Sequence, residues 1–319
     1  MLFTKKTNHT ANIVLAIATF ALSVDVFHSA YLIFGYYKEF IHFTGVTYAF
    51  PFLYGPIFYI YAKLISSGSN SFNKNYFLHF IPFILVVLYG IIFVYFEGSE
   101  LKLALIRNEL DEVPLLPFIT FLKPVHGIIY TLLTINVARD YNNKIRSSYS
   151  NIERINLNWL RHLAIGLSVI WSVVLLVYVV NIVSTKEIEM DHLIYMAASV
   201  LIYSIGYLSL RQPQIFQKVP VKEDEKFTAN LKKIPEEKSY RRSGLTDEDA
   251  ENHLKNLLGE METGKPYLNS ELTLGELAAK LSMSTHNLSE ILNTKLNQNF
   301  YDFINRYRVE EVKRRLDDK

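Results

Sequence analysis

The chain has 319 residues, of which 50% are hydrophobic, and its formal net charge is +2. Phe and Tyr occur 21 times each, and the mean hydropathy is +0.13, which exceeds what an ordinary soluble domain of this length carries. The sequence contains no cysteine, which excludes disulfides, thiolate metal sites and cysteine nucleophiles. A membrane protein is therefore the leading class.

Six apolar runs are each long enough to cross a hydrocarbon core of about 30 Å, which takes roughly 20 helical residues. They cover residues 13–37, 46–65, 76–96, 115–138, 160–183 and 192–210. The sequence therefore predicts an all-α fold that begins with a polytopic transmembrane helix bundle over residues 1–212.

The orientation of these spans follows from Lys and Arg near their ends, because positive residues are retained on the cytoplasmic side. One set of flanks is rich in them, with Lys5, Lys6, Lys63, Lys74, Arg139, Lys144, Arg146, Arg154, Arg161 and Arg211. The opposite loops hold Lys38, Lys102, Arg107 and Lys186 amid several acidic residues. We therefore expect a multi-pass membrane protein with both chain ends in the cytoplasm.

Two ionisable residues, Asp25 and His28, interrupt the first apolar run. Because they are three residues apart, they share a helix face and can pair. Ionisable groups in hydrocarbon are costly and often functional, so this pair is a candidate for intramembrane sensing of an unidentified small-molecule or envelope signal. The alternative is an interhelical hydrogen bond that only supports packing.

No catalytic motif accompanies this pair. The sequence has no HExxH, no glycine-rich phosphate loop and no GxSxG, so we predict no catalytic residues, no cofactor and no metal. An intramembrane enzyme that uses Asp25 and His28 is a rival interpretation. The leading prediction is that the protein is not an enzyme.

A change of composition after Arg211 marks a cytoplasmic linker over residues 213–245. Helix signals resume at Thr246, which can cap a helix whose first turn is acidic. A second start follows at Thr273, where Glu276 three residues later completes a capping box. From residue 213 to the end, 18 Lys and Arg face 19 Asp and Glu, so any DNA-reading surface must concentrate positive charge locally.

The stretch "TLGELAAKLSMSTHNLSEILN" has the pattern of two helices that cross through a short turn. Ala278 supplies the small contact, Ser282 replaces the usual turn glycine in a left-handed position, and Ser284 is placed to cap the second helix. Apolar residues face inward from both helices at Leu274, Leu277, Leu281, Met283, Leu288, Ile291 and Leu292. The residues predicted to face outward are Thr285, His286, Asn287, Ser289 and Glu290.

Residues 268–316 resemble the first helix-turn-helix subdomain of the AraC/XylS family of transcription regulators. The "LAAKLSMSTHNLSEILN" core and the "FYDFINRYRVEEVKRRL" segment, similar to the family's long connecting helix, carry the resemblance. Upstream, "FPFLYGPIFYIYAK", "LHFIPF" and "YRRSGL" look like segments of bacterial multi-span proteins with a cytoplasmic AraC-type domain. The resemblance implies that residues 246–319 are an AraC-type domain comprising the first subdomain and the connecting helix.

The resemblance further implies that the second helix of the pair lies in the major groove of double-stranded DNA. We expect groove contacts from Ser284, Thr285, His286, Asn287, Ser289 and Glu290, and phosphate contacts from Lys295, Arg306 and Arg308. The connecting helix is expected to pack through Phe303, Ile304, Tyr307 and Leu316. Because the family has a second helix-turn-helix unit and usually seven spans, we also expect a span before Met1 and a second unit after Lys319.

The sequence thus predicts a membrane-embedded transcription regulator whose partners are duplex DNA and the lipid bilayer, with a homodimer as a further partner expectation. The bundle anchors the protein or senses a signal, and the tail binds promoter DNA. The alternative is a membrane receptor or transporter whose cytoplasmic helical tail binds a protein partner. The nearly balanced charge of the tail favours that alternative.

Overall fold

A computed structural model describes residues 9–68, 71–107, 113–153, 155–183 and 246–318, with eight further positions between 196 and 207. Helices account for 81% of these residues, and no strand occurs among them. The predicted all-α fold class is therefore confirmed for the described part of the chain. The predicted linker, Lys5, Lys6 and most of the sixth predicted span lie outside it.

The chain forms two compact units. Unit 1 comprises residues 1–139 and 157–218, and unit 2 comprises residues 140–156 and 219–319. The sequence predicts a membrane domain over residues 1–212, a linker over 213–245 and a further domain over 246–319, whereas in the structure residues 140–156 belong to the unit that contains the tail. This difference arises from hydrogen bonds between distant parts of the chain, which local sequence patterns do not show.

Six α-helices of unit 1 have described bounds, and further described helical residues lie between 196 and 207. The six helices are α1 (His9–Ile33), α2 (Pro51–Ser67), α3 (Ile81–Gly90), α4 (Ser99–Ile106), α5 (Leu116–Ser148) and α6 (Asn158–Val183). A 3₁₀ segment (Lys74–Phe80) leads into α3 and a π-helical turn (Ile91–Tyr95) follows it. Because the unit boundary falls after residue 139, the last residues of α5 belong to unit 2.

Four helical segments of the described chain are long and apolar enough to span a membrane: His9–Ile33, Lys74–Tyr95, Leu116–Ser148 and Asn158–Val183. They correspond to four of the six predicted spans. The predicted span over residues 46–65 is helix α2, which has 17 residues and buries most of them. Large apolar side chains such as Phe20 and Phe27 are exposed on α1, as expected of surfaces that face lipid.

Two glycines allow the helices of unit 1 to approach closely. A Cβ added to Gly55 on α2 would lie 2.6 Å from Tyr130 of α5. A Cβ added to Gly127 on α5 would lie 2.4 Å from the Trp171 ring of α6. Small residues at such crossings let large aromatic side chains pack against the backbone, which is how membrane helices associate without a hydrophobic driving force.

The tail, which we define as residues 246–318, contains four α-helices and one short 3₁₀ segment. These are α7 (Asp247–Thr263), the 3₁₀ segment Pro266–Leu268, α8 (Leu274–Lys280), α9 (Thr285–Thr294) and α10 (Phe300–Asp317). Their shared core includes Leu257, Met261, Leu277, Leu288 and Phe303. Each of these side chains is fully buried, so one continuous core organises the four helices.

Side-chain caps fix where these helices begin, as the sequence predicts. Thr246 and Asp249 form a capping box at α7, and Thr273 and Glu276 form another at α8. Ser284 accepts a hydrogen bond from the backbone N–H of Asn287 at the start of α9. Each cap satisfies amide groups that the first helical turn would otherwise leave without an acceptor.

The predicted inward face of the α8–α9 pair is confirmed. Ala278 is 1% exposed, and Leu281 and Met283 pack against the shared core. Ser282 adopts the predicted left-handed conformation, with φ of 54°. On α10, Phe303 and Ile304 are fully buried and Tyr307 is partly buried, as predicted.

The prediction for Leu316 is wrong, because its side chain is 65% exposed. Leu316 lies one residue before Asp317, where α10 ends. The core residues of α10 lie at its beginning, at Phe300, Phe303 and Ile304. The helix therefore extends beyond the core that covers its first half.

Candidate nucleic-acid interface

Helix α9 presents a short polar surface at its beginning. Leu288, Ile291 and Leu292 anchor the helix in the core with at most 1% exposure. Ser284 is exposed, and the predicted contact residues Thr285, His286, Asn287 and Ser289 are all partly exposed. Hydroxyl, amide and imidazole groups of this kind form hydrogen bonds with base edges.

Asn293 belongs to the same surface, although it is not among the residues predicted from the sequence. Its Nδ2 donates a hydrogen bond of 2.8 Å to the backbone oxygen of Ser289, one helical turn earlier. The side chain is exposed. The spacing of four residues from Ser289 is the signal that identifies it, because positions i and i+4 share a helix face.

The outward placement predicted for Glu290 is wrong. Its side chain is 5% exposed, and its Oε2 lies 3.9 Å from His286 Nε2. The reason is that α9 contacts α7 and α10 as well as α8, so its buried arc is wider than a two-helix pair predicts. Glu290 falls within that arc.

The three cations predicted to contact phosphate occupy different environments. Arg306 is exposed, and its guanidinium lies 5.7 Å from the centre of the Phe303 ring and 5.5 Å from that of Tyr307. Lys295 Nζ lies 3.1 Å from Asp247 Oδ1 and is 24% exposed. A phosphate that binds Lys295 therefore has to displace a carboxylate.

Arg308 is partly exposed, but its guanidinium donors are bound within the protein, which corrects its predicted role as a phosphate partner. Its Nε donates to Tyr267 O at 2.8 Å, and its Nη2 donates to Asn269 O at 2.8 Å. Its Nη1 donates to Ser150 O at 2.9 Å. Backbone oxygens therefore take up the donors that a phosphate would need.

The electrostatic balance of the tail is acidic. Residues 246–318 carry nine Lys and Arg against fourteen Asp and Glu, a formal charge of −5. Several cations are also ion-paired: Lys280 with Glu260 at 2.6 Å, Lys313 with Glu310 at 2.8 Å, and Arg315 with Glu311 at 2.8 Å. Long-range attraction to a phosphate backbone is therefore weak over this unit.

The predicted sensing pair lies in unit 1, and each member binds a different element. Asp25 Oδ2 accepts a hydrogen bond of 2.7 Å from the Tyr54 hydroxyl on α2. His28 contacts Phe43 O at 3.1 Å and Thr47 Oγ1 at 3.2 Å. These contacts connect α1 to α2 and to the segment between them, so the packing interpretation has specific partners. The sensing role stays a prediction.

Comparisons of the chain with protein-family models, with curated proteins and with solved structures found no match. The resemblance to AraC/XylS regulators therefore rests on the sequence motifs alone.

Proposed function

We propose that the protein is a non-catalytic, membrane-embedded transcription regulator. In this proposal the apolar helices anchor the chain in the bacterial inner membrane, both chain ends are cytoplasmic, and the tail binds promoter DNA. The observation that carries the proposal is the capped α8–α9 pair. It crosses at buried Ala278 and leaves a polar surface at the start of α9, the arrangement expected of a recognition helix.

The acidic charge of the tail limits the number of phosphate contacts expected in this proposal. Base contacts come from the uncharged groups of Thr285, Asn287, Ser289 and Asn293, and the exposed Arg306 supplies one phosphate contact. Each neutralised phosphate contributes a slope of about −0.9 to the dependence of log affinity on log salt. We expect a slope between about −1 and −2, because Lys295 is available only after it leaves Asp247.

Duplex DNA binding to the full-length protein in lipid vesicles tests the proposal. Mixed-sequence duplex is titrated at several salt concentrations, and non-specific affinity of about 10⁻⁴ to 10⁻⁶ M is expected at physiological salt. Arg306→Ala should reduce the salt slope by about 1, because it removes one phosphate contact. Lys255→Ala, which removes an exposed cation of α7, is the matched control and should leave the slope unchanged.

A second candidate function is a membrane receptor or transporter whose tail binds a protein. The formal charge of −5 on residues 246–318 favours it, because an acidic surface repels nucleic acid and attracts basic protein segments. Absence of salt-dependent DNA binding, even at low salt, would refute the regulator and leave this candidate. Equal salt slopes for the Arg306 and Lys255 variants would remove the proposed interface.

A further inference from the structure

The segment that follows α5 is built into the tail. Tyr149 forms an antiparallel bridge with Thr273, the residue that caps α8. The backbone N–H of Ser150 donates to Leu272 O at 3.2 Å, and the Ser150 hydroxyl donates to the same oxygen at 2.7 Å. Two distant parts of the sequence are thus joined by backbone pairing and by a side chain.

Helix α10 holds the same serine from another direction. Asn305 Nδ2 donates to Ser150 O at 3.1 Å, and Arg308 Nη1 donates to that oxygen at 2.9 Å. Arg308 Nη2 also donates to the Ser150 hydroxyl at 2.9 Å. Ser150 is 1% exposed, so its oxygens are bound by groups of the tail instead of water.

Arg308 is suited to this contact by the shape of its side chain. A guanidinium offers several N–H donors in a rigid plane, whereas a lysine ammonium is a compact point charge. Arg308 uses these donors to connect Ser150 with Tyr267 O and Asn269 O. The partners are neutral oxygens, so the contact depends on geometry more than on charge.

We propose that Tyr149 and Ser150, which we call the docking segment, are an intramolecular ligand of the tail that couples it to helices α5 and α6. The docking segment follows Ser148, where α5 ends, and precedes Asn158, where α6 begins. Both helices are candidate membrane spans. A movement of either helix therefore changes the contact with the α8 cap and with α10. The docking is independent of what the tail binds, whereas the coupling to DNA rests on the proposed function.

Disulfide cross-linking in the full-length protein tests the docking, since the sequence has no cysteine of its own. Directly opposed residues of antiparallel strands have Cα atoms about 4.5 to 5.5 Å apart, within the range of about 4.4 to 6.8 Å that a disulfide requires. The pair Tyr149→Cys and Thr273→Cys should therefore cross-link in vesicles equilibrated with a glutathione buffer.

The matched control pairs Tyr149→Cys with a cysteine at the exposed residue Lys280. Lys280 lies seven residues after Thr273, about 10 Å along α8, and should cross-link far less. Adding Ser150→Leu to the first pair should lower its equilibrium yield at least about fivefold, because a larger side chain does not fit the buried site. Arg308→Lys should lower the yield in the same direction.

Two results would overturn the docking: a yield for the first pair no higher than for the control, or a yield that Ser150→Leu leaves unchanged. Ser150→Leu changes the docking segment and leaves the tail sequence intact. Its effect is therefore separate from any loss of tail stability caused by Arg308→Lys.

The coupling is measured by retention of mixed-sequence duplex DNA on the same vesicles. The cross-linked protein and the Ser150→Leu protein should differ in apparent affinity by at least about fivefold, the lower end of typical coupling between two sites. Equal affinities would overturn the coupling. If neither protein retains DNA, the proposed function and the coupling are both refuted, while the cross-link yield still decides whether the segment docks.

Discussion

The substitution Ala278→Leu tests whether α8 and α9 cross at this residue. Ala278 is 1% exposed and belongs to a core with the fully buried Leu277 and Leu288. Its backbone oxygen accepts a hydrogen bond of 3.0 Å from Met283 N–H, which closes the turn. A leucine adds three carbon atoms where the core leaves no space. We expect a loss of about 1 to 3 kcal/mol in unfolding free energy from overpacking.

The neighbouring residue provides the control. Ala279 is on the same helix and exposed, and Ala and Leu have nearly equal helix propensities. Ala279→Leu should therefore change the unfolding free energy by less than about 0.5 kcal/mol. Because both variants carry the same change from Ala to Leu, the difference between them reports the effect of burial.

Protease susceptibility of the tail, measured on the full-length protein in vesicles, provides the assay. When opening is fast relative to cleavage, the cleavage rate follows the population of the open form. A loss of 1 to 3 kcal/mol then raises the rate about 5-fold to 150-fold. Equal cleavage rates for the Ala278 and Ala279 variants would refute a tight crossing at Ala278.

Two further predictions concern orientation and pH. Cysteine introduced at Glu100 should react with an impermeant reagent from outside and cysteine at Asn143 should not; the reverse labelling would refute the proposed orientation and DNA binding together. Hydrogen bonds from Arg314 and Arg315 lower the pKa of Glu311 from 4.5 to about 2. The stabilisation that the Glu311 carboxylate contributes is therefore complete above pH 4.5 and is lost as the pH falls toward 2. The pepsin cleavage rate of the Glu311→Gln variant, divided by that of the parent protein, should therefore be highest above pH 4.5 and approach 1 at low pH. A ratio that does not change with pH would contradict this.

Helix starts and the inward face of the α8–α9 pair can be predicted because they depend on residues that are close in the sequence. A cap at Thr273 or Ser284 requires only an acceptor side chain and an amide three residues later. The inward leucines follow from helical periodicity. Apolar runs likewise identify the four helices of the described chain that are long enough to span a membrane, because length and hydropathy are local properties.

Contacts between distant segments account for what the sequence does not predict. Glu290 is predicted to be exposed when only α8 and α9 are considered. The structure buries it, because α9 also contacts α7 and α10. Arg308 looks like a phosphate-binding residue among polar neighbours, yet its partners include Ser150, which is 158 positions away in the chain. No periodicity or capping rule reports such a pairing.

The hydrogen bonds of Arg308 alter what the tail needs in order to bind DNA. As a phosphate contact, Arg308 would strengthen electrostatic attraction in a unit whose formal charge from residue 246 to 318 is −5. As a docking residue, it keeps its charge, but its N–H donors are bound to Ser150, Tyr267 and Asn269 and are not available to a phosphate. Non-specific affinity depends mainly on charge, so under the proposed function the weak attraction would make DNA binding depend on the hydrogen bonds that α8 and α9 position. Under the proposed function, a contact that links the positions of α8 and α9 to α5 and α6 therefore has its largest effect on DNA affinity in a tail with few unpaired cations.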